Sequence, residues 1–178
     1  MNVAFQGLDL VAGKVKYNDS ILTAFAEKFQ PQKTSPYYFK FLEAQYDQAE
    51  AILITKASIL DILIPDIEIL NSRLSRTTSS EEKQLLSRCI SHLEDEKALC
   101  DLSISAEEFR ILNTMNLISL KPVVVWDNSL DTELICKAVL DKADRMFFYT
   151  VGKKEVRAWL VRRHATAIEC AEKIHSDL

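Results

Sequence analysis

The chain has 178 residues, 48% of them hydrophobic, and carries a formal net charge of -4 with a sequence pI near 5.5. This length and composition suffice for one domain or two small ones around a sizeable core. The acidic balance argues against generic binding to nucleic acids or anionic membranes, and no sequence-specific DNA binding is expected. No apolar run approaches the roughly 18 residues of a membrane span, so we expect a cytoplasmic chain with no membrane partner.

Cysteine and histidine spacing predicts neither a disulfide nor a metal site. The four cysteines are widely scattered, three of them at apolar positions of predicted helices, which favours buried, reduced thiols. They are Cys89, Cys100, Cys136 and Cys170. The three histidines have no metal-ligand spacing, and no Ser-His-Asp, Cys-His or paired-carboxylate arrangement stands out. We therefore predict no catalytic residue and no metal ligand.

Short apolar runs in the first half predict strands at residues 2–5, 37–42 and 49–54. Residues 121–126 contain the longest β-branched run of the chain, which predicts a central strand of a parallel sheet, buried on both faces. Pro122 fits near its start, where no ladder N–H is needed. A helix is predicted between the first two runs, capped near Asp19. Strands separated by helices or loops indicate an open α/β sheet.

Between these strands the apolar residues recur at helical spacing. Pro65 fits the first turn of a helix whose buried stripe would be Ile67, Leu70 and Leu74. Two Ser-x-x-Glu capping boxes, Ser79 with Glu82 and Ser105 with Glu108, predict two further helix starts. Residues 65–116 are thus expected to form an α-helical insertion that opens with a helical hairpin.

After residue 126 the pattern predicts a helix over 131–143, with Leu134, Ile135, Ala138 and Val139 buried. Two strands follow at 146–150 and 155–161, joined by a turn, and then a last helix capped by Thr166 with Glu169. A hairpin with a single helix leaves a sheet edge open. A homo-oligomer formed by strand addition at that edge is therefore one hypothesis.

Gly7, Gly13 and Lys14 after the first predicted strand partly match the pattern of a phosphate-binding loop. Such a loop needs Gly, four residues and then Gly-Lys-Ser/Thr, because the lysine reaches the outer phosphates and the hydroxyl ligates magnesium. The chain has five residues between Gly7 and Gly13, followed by Lys14 and Val15. The spacing is one residue too long and the hydroxyl is missing, so no working phosphate loop is predicted.

The last third of the chain resembles a known family. Residues 147–159, with the core Lys-Glu-Val-Arg-Ala-Trp, and the later Ile-His-Ser-Asp at 174–177 resemble the start of the ubiquitin-like TGS domain of the YchF family, the Obg-like ATPases. The resemblance extends back through 117–128 and the helical insertion. It implies a reduced P-loop-GTPase-like α/β core at 1–64 and 117–144, a helical insertion at 65–116, and a partial β-grasp, TGS-like unit at 145–178.

The resemblance also locates motifs that this sequence has lost. Family members carry a phosphate loop after the first strand, whereas this chain passes from Gly7 almost directly to Lys14. Their magnesium-contacting Asp-x-x-Gly turn corresponds to residues 43–46, which read Glu-Ala-Gln-Tyr. Their base-recognition motif aligns with Asn128 and Asp131, which become candidate nucleotide-base residues. The alternative is an ordinary turn at 127–129 followed by an acid at a helix start.

These features predict a degenerate YchF-like protein without hydrolytic machinery. It would act as an interaction or regulatory module, with the ribosome or another translation component as its partner, and no cofactor is expected. A basic surface on the hairpin could serve that contact, or it could be ordinary solvated strand charge. Its residues are Lys153, Lys154, Arg157, Arg162 and Arg163. The alternatives are a residual ATP- or GTP-binding protein of the family and an oligomer formed through the open sheet edge.

Overall fold

The computed structural model describes residues 1–127 and 130–175. In chain order its strands and helices are β1 (Asn2–Gln6), β2 (Gly13–Lys16), α1 (Ser20–Phe29), β3 (Lys33–Ser35), β4 (Tyr38–Glu43), β5 (Ala51–Ile54), α2 (Leu60–Leu74), α3 (Ser80–Glu94), α4 (Ala106–Asn113), β6 (Val123–Val125), α5 (Thr132–Lys142), β7 (Arg145–Val151), β8 (Glu155–Arg162) and α6 (Ala167–His175). Among the described helices, none has the length and apolar character that crossing a bilayer requires.

The chain divides into two compact units. The parallel-sheet unit comprises residues 2–10 and 42–130, and the hairpin unit comprises residue 1 together with 11–41 and 131–178. These limits do not coincide with the predicted domain limits at 65, 117 and 145. The predicted TGS-like segment, 145–178, shares its unit with 11–41, so the structure groups it with a much earlier part of the chain.

Three parallel strands form the core of the parallel-sheet unit. β5 pairs with β1 on one side, Val3 opposite Ala51, and with β6 on the other, Ile52 opposite Val123. All four residues of β5 are fully buried. The central strand is therefore β5, and the prediction that residues 121–126 form it was wrong. β6 has three residues and leaves Val125 49% exposed. A run of β-branched residues favours a strand, but it does not determine how many strands pair with that strand.

The predicted place of Pro122 is confirmed. It immediately precedes β6, and its carbonyl accepts a hydrogen bond from the Ile52 N–H at 2.8 Å. Proline can occupy this position because it supplies the acceptor of the ladder without needing a donor.

Helices α2, α3 and α4 build the larger apolar cluster with β5 and β6. Its fully buried members include Ile62, Leu70 and Leu86. The predicted insertion is present, but Pro65 lies inside α2, which begins at Leu60, and not in its first turn. A proline beyond the first turn removes one i→i−4 hydrogen bond, and the burial of Ile62 and Leu63 in the preceding turn offsets that cost. The predicted partners Ile67 and Leu74 are only partly buried.

The two predicted capping boxes differ in the structure. Ser105 and Glu108 make both reciprocal bonds, so this box is confirmed. Ser79 caps α3 by accepting from the Glu82 N–H at 3.3 Å, but the Glu82 carboxylate binds Arg73 at 2.7 Å and Thr77. Only half of the second box is therefore made, because a nearby guanidinium and hydroxyl compete for the same carboxylate.

The hairpin unit contains the predicted hairpin of β7 and β8, which pair antiparallel over their whole length. β3 adds to it in parallel, with Lys33 opposite Glu155, so the strand order is β3-β8-β7. The hairpin was expected to leave a sheet edge open, and β3 covers the edge at β8. Within the described part of the chain, the outer edge of β7 has no strand partner.

Helix α1 covers one face of this sheet. Leu22 is buried against Val156 and Ala158, and the rings of Phe25, Tyr37, Phe147 and Tyr149 pack around them. Helix α5 begins after Asp131 as predicted, but Leu134 is 49% exposed while Cys136 and Leu140 are buried. Apolar residues are adjacent in the sequence of α5, so two neighbouring faces of the helix are equally apolar. The spacing of these residues alone does not determine which of the two faces is buried.

Elsewhere in the hairpin unit, β2 pairs antiparallel with β4, with Val15 opposite Phe39. This short strand was not predicted. It includes Gly13 and Lys14, the residues that were compared with a phosphate loop.

Candidate functional site

The carboxyl ends of parallel strands are where α/β folds bind nucleotides. In the parallel-sheet unit this edge consists of Gln6 and Gly7 after β1, Thr55 after β5, and Asp127 after β6. It is the position at which a nucleotide site would be built, so the contacts of these residues decide what the edge can bind.

Hydrogen bonds between protein groups occupy this edge. The Gln6 side chain accepts from the Tyr46 hydroxyl and donates to the Asp61 carboxylate. The Gln6 carbonyl accepts from the Thr55 N–H at 3.3 Å. Burial, with a contribution from the Asp61 charge, raises the pKa of Tyr46, so its hydroxyl stays protonated and able to donate. Hydrogen bonds to Tyr46, Thr55 and Asp61 therefore hold the end of β1 in place.

Gly7 shows how tightly the end of β1 is packed. Its φ is +79°, and a Cβ at this position would lie 2.3 Å from Thr55 Oγ1 and 2.7 Å from Ser58 Oγ. Both hydroxyls thus occupy the space beside the strand end. Glycine is required because any side chain would meet them and would also strain the left-handed backbone.

No helix follows β1. Residues 8–12 are irregular and lead into β2, where Lys14 lies in a strand opposite Lys40. In a phosphate loop, backbone amides at the start of a helix cradle the phosphates and the lysine reaches over them. Lys14 has neither that loop nor that helix beside it.

Acidic groups also lie at this edge. The Lys56 N–H donates to Asp127 Oδ1 at 3.1 Å, and Asp61 holds Gln6. Carboxylates in these positions repel a phosphate unless a cation lies between them. Among residues 1–127 and 130–175, no cluster of three or more His, Cys, Asp or Glu side chains could hold a metal ion.

Of the predicted base-recognition pair, only Asp131 lies among the described residues. Asn128 lies outside the described residues. Asp131 caps α5: its Oδ1 accepts from the Glu133 N–H at 2.8 Å and the Leu134 N–H at 3.3 Å. This is the arrangement expected of the helix-start alternative, in which an acid is stabilised by the helix dipole. A role for the pair in binding a base stays a prediction.

The five basic residues of the hairpin do not form one patch. Lys153 and Lys154 are exposed in the turn, and their carbonyls accept from β3, each at 3.1 Å. Arg162 is the last residue of β8 and Arg163 follows it, roughly 26 Å from the turn for a strand of this length. The predicted set is thus split between the two ends of the hairpin.

Two of the three arginines of this set, Arg157 and Arg163, already have partners within the hairpin unit. The Arg157 guanidinium lies 3.9 Å from the Trp159 ring centre. Arg163 binds Asp141 at 2.6 Å and lies 3.7 Å from Asp144. By contrast, Lys153 and Lys154 make no ion pair in the part of the chain that the structure describes, so they are the cations best placed to meet an external anion.

Sequence reasoning missed two buried aspartates. Asp66 is fully buried in α2 and accepts from the N–H groups of Ile118 and Ser119 and from the Ser119 hydroxyl, at 2.5 to 2.8 Å. Burial raises its pKa, against the opposing effect of these hydrogen bonds. Asp66 therefore fixes the turn that leads into β6. Its spacing, four residues from both Ile62 and Leu70 on the buried face, is the signal that could have revealed it.

The second is Asp19, in the hairpin unit. It was predicted only as a helix cap, and it does accept from the N–H groups of Ile21 at 2.9 Å and Leu22 at 3.2 Å. It also accepts from the Tyr149 hydroxyl at 2.5 Å. Burial, together with this bond to Asp19, raises the pKa of Tyr149. One carboxylate thereby joins α1 to β7.

Cys89 and Cys136 are core residues, whereas Cys100 and Cys170, which were also expected to be buried, are only partly buried. Burial raises the pKa of Cys89 to about 11 and that of Cys136 to about 12. Thiols with such values are almost entirely protonated at neutral pH and are poor nucleophiles and poor metal ligands. The reading of these two as buried, reduced thiols agrees with the structure, which pairs none of the four cysteines in a disulfide.

The fold is of the α/β class, with a parallel sheet and a helical insertion, and protein hydrogen bonds occupy the carboxyl edge of the sheet. Comparison with a solved structure supports this class. The structure of the YchF GTPase of Schizosaccharomyces pombe superposes with a TM-score of 0.71 at 15% sequence identity, covering 96% of this chain and 75% of that one. At this identity the match shows the fold alone.

Sequence comparisons find similarity to YchF proteins. The family model YchF-GTPase_C, described as a protein of unknown function (DUF933), matches residues 146–178. The chain is 25% identical over 183 aligned positions to the ribosome-binding ATPase YchF of Buchnera aphidicola subsp. Baizongia pistaciae, covering 67% of this chain and 50% of the relative. It is 60% identical over 30 residues to the protein of the same name from subsp. Acyrthosiphon pisum, covering 17% of this chain and 8% of that relative.

These comparisons support the resemblance to the YchF family that the sequence indicated, and the chain spans about half the length of the first of these relatives.

Proposed function

We propose that this chain is a YchF-family module that does not hydrolyse nucleotides and that docks on the ribosome in the cytoplasm. Two relatives carry the name ribosome-binding ATPase. We propose that this chain shares the ribosome binding that this name describes, but not the ATPase activity.

The observation that carries the proposal is the closed end of β1. The hydroxyls of Thr55 and Ser58 fill the space at Gly7, and the chain then continues into a strand, with no helix whose N-terminus could face a phosphate. Asp61 and Asp127 add negative charge at the same edge. In a phosphate loop a triphosphate binds through backbone amides at a helix start, a lysine of the loop and a magnesium ion. At the end of β1 the described residues form neither such a loop nor such a helix.

Docking is supported by the turn of the hairpin. Lys153 and Lys154 are exposed and make no ion pair among the described residues, while their backbone is held in place by β3. Two ammonium groups on a fixed turn suit the phosphates of ribosomal RNA, and such contacts weaken as salt rises, because bound counterions are released on association. Arg163 contributes less, since Asp141 already neutralises it.

Co-sedimentation with ribosomes tests docking. Replacing both turn lysines, Lys153→Glu with Lys154→Glu, should weaken binding and lower the slope of log affinity against log salt by about two. The matched control is Lys83→Glu with Lys137→Glu, which makes the same change in net charge at exposed helical positions. Equal effects of the two pairs would show a general charge effect, and absence of co-sedimentation at low salt would refute docking.

Thermal denaturation with magnesium and ATP or GTP tests the loss of nucleotide binding. A ligand of the native state at 100 times its Kd adds about 2.7 kcal/mol of stability. We expect no change in melting temperature at millimolar nucleotide. A clear, magnesium-dependent rise with either nucleotide would overturn this part of the proposal and would favour a residual nucleotide-binding protein.

A further inference from the structure

Three lysines lie on the exposed face of the ladder that β2 forms with β4. β2 carries Lys14 and Lys16, β4 carries Lys40, and all three side chains are exposed. None of the three makes an ion pair with any residue in 1–127 or 130–175. They belong to the hairpin unit, and the proposed function assigns them no role.

The register of the ladder places two of these charges directly opposite each other, Lys14 against Lys40. The Tyr17 N–H donates to the Tyr37 carbonyl at 3.0 Å, so the hydrogen-bonded pairs of this ladder fall on odd-numbered residues. The Lys40 N–H accordingly points away from β2 and donates to the Met1 carbonyl, also at 3.0 Å. Lys14 and Lys40 therefore form a non-hydrogen-bonded pair, the kind in which opposing side chains come closest.

This pair costs the free protein stability. Like charges directly opposite each other on two strands are destabilising, and no carboxylate among the described residues pairs with either lysine. An anion between the two ammonium groups would attract both and would also relieve their mutual repulsion. The arrangement thus favours a bound anion over the empty face.

Lys16 and Tyr38 complete the group. They face each other at the next non-hydrogen-bonded position, two residues and therefore about 6.8 Å along the strands. Phe39, whose side chain points to the other side of the sheet, is fully buried and fixes which face is exposed. The Tyr38 side chain is 49% exposed, and its ring stacks on no other ring in the described part of the chain. Lys14, Lys16, Tyr38 and Lys40 together form the lysine face.

The chemistry of the lysine face matches single-stranded RNA. Neighbouring phosphates of one strand can neutralise neighbouring ammonium groups, and an exposed aromatic ring can stack on a base that is not already stacked in a duplex. A duplex offers phosphates but keeps its bases inside the helix, and an acidic peptide offers charge without a base. Tyr38 is therefore the residue that distinguishes these ligands.

We propose that the lysine face binds a segment of single-stranded RNA, with phosphates at the three ammonium groups and one base stacked on Tyr38. Because the whole chain carries a net charge of -4, the attraction is local and depends on these side chains. This binding is separate from ribosome docking through the turn between β7 and β8.

Fluorescence anisotropy with a labelled oligouridylate of about 12 nucleotides tests the proposal, and we expect reversible binding that weakens as salt rises. Lys14→Gln with Lys40→Gln should lower the slope of log affinity against log salt by about 1.4, since each phosphate contact of a single strand contributes about 0.7. The melting temperature of this free variant should be unchanged or higher, because the repulsion is removed. Lys83→Gln with Lys137→Gln, the same charge change at exposed helical positions, should retain the slope.

Substitution of the tyrosine tests stacking separately from charge. Tyr38→Ala should weaken binding about fivefold or more without changing the salt slope, and Tyr38→Phe should retain the affinity. Circular dichroism checks that both variants fold.

Three results would overturn the proposal: no binding of the oligouridylate at low salt, an equal loss in the control pair, or equally tight binding of duplex RNA or polyglutamate that Tyr38→Ala leaves unchanged. The last of these would show a general anion-binding surface. All variants retain the turn lysines and the RNA is free of ribosomes, so failure here is distinguishable from failure of ribosome docking.

Discussion

Replacing Asp19 should destabilise the hairpin unit more than loss of a helix cap would. Asp19 is buried, caps α1 through two backbone N–H groups, and accepts from the Tyr149 hydroxyl at 2.5 Å. A cap contributes about 1 kcal/mol, and a hydrogen bond to a charged group about 1.5–3 kcal/mol. We therefore expect Asp19→Ala to lower the free energy of unfolding by about 2–4 kcal/mol.

The contribution of the Tyr149 bond can be isolated with a double-mutant cycle. Tyr149→Phe keeps the cap and should cost about 1–2 kcal/mol, while the double variant with Asp19→Ala should cost clearly less than the two separate losses together. Urea denaturation followed by tryptophan fluorescence in a Trp126→Phe background reports on Trp159, which lies in the hairpin unit. The neighbouring Asn18→Ala, at an exposed position, is the control and should change stability by less than about 0.5 kcal/mol.

Alkaline pH provides an independent check of the same bond. Tyrosine in the unfolded chain ionises near pH 10.0, whereas the pKa of Tyr149 is raised in the folded protein by burial and by Asp19. Above pH 10.0 the unfolded state therefore loses its proton first and stability falls as pH rises. Tyr149→Phe should show a smaller fall. Strict additivity in the cycle, together with an unchanged alkaline profile, would refute the reasoning.

Other substitutions test the parallel-sheet unit and the core thiols. Gly7→Ala should cost about 2 kcal/mol or more, since it combines a positive φ with contact against two hydroxyls, whereas Gly152→Ala has room for its methyl group; thermal denaturation compares them. Asp66→Ala leaves two buried N–H groups without acceptors and should cost about 3–5 kcal/mol in urea denaturation. Cys89 and Cys136 should resist iodoacetamide at pH 8 in the folded protein and react fully in denaturant, by mass spectrometry; rapid native labelling of either would contradict their burial.

The features that were predictable from the sequence are those set by neighbouring residues. The caps at Asp19 and Ser105 and the turn between β7 and β8 each depend on a few adjacent side chains, and all were found. β3 could not be found this way, since Lys-Thr-Ser has no apolar pattern and is a strand only because β8 pairs with it. The order of the parallel strands is likewise set by distant contacts, so β6 was placed wrongly at the centre.

At the candidate site, too, features set by adjacent residues were predictable and those set by distant contacts were not. The spacing of residues 7–15 alone predicts no working phosphate loop, because such a loop is a local pattern; that the chain binds no nucleotide stays a prediction. The hydrogen bonds that close the strand end join Gln6 to Tyr46 and Asp61, which lie 40 and 55 residues away. No local pattern could indicate them. The basic set on the hairpin was identified residue by residue, but its separation into two ends became visible only once β8 was seen to be extended.

The parallel pairing of β3 with β8 has a consequence for synthesis of the chain. The Ser35 hydroxyl donates to the Glu155 carboxylate across a separation of 120 residues. At translation rates of about 5–20 residues per second, β3 waits roughly 6–24 s for its partner. During that interval its peptide groups are satisfied by water or by whatever the nascent polypeptide meets first. β3 therefore stays unpaired until β8 has been synthesised, and a pause in translation between the two strands prolongs the time for which β3 is exposed.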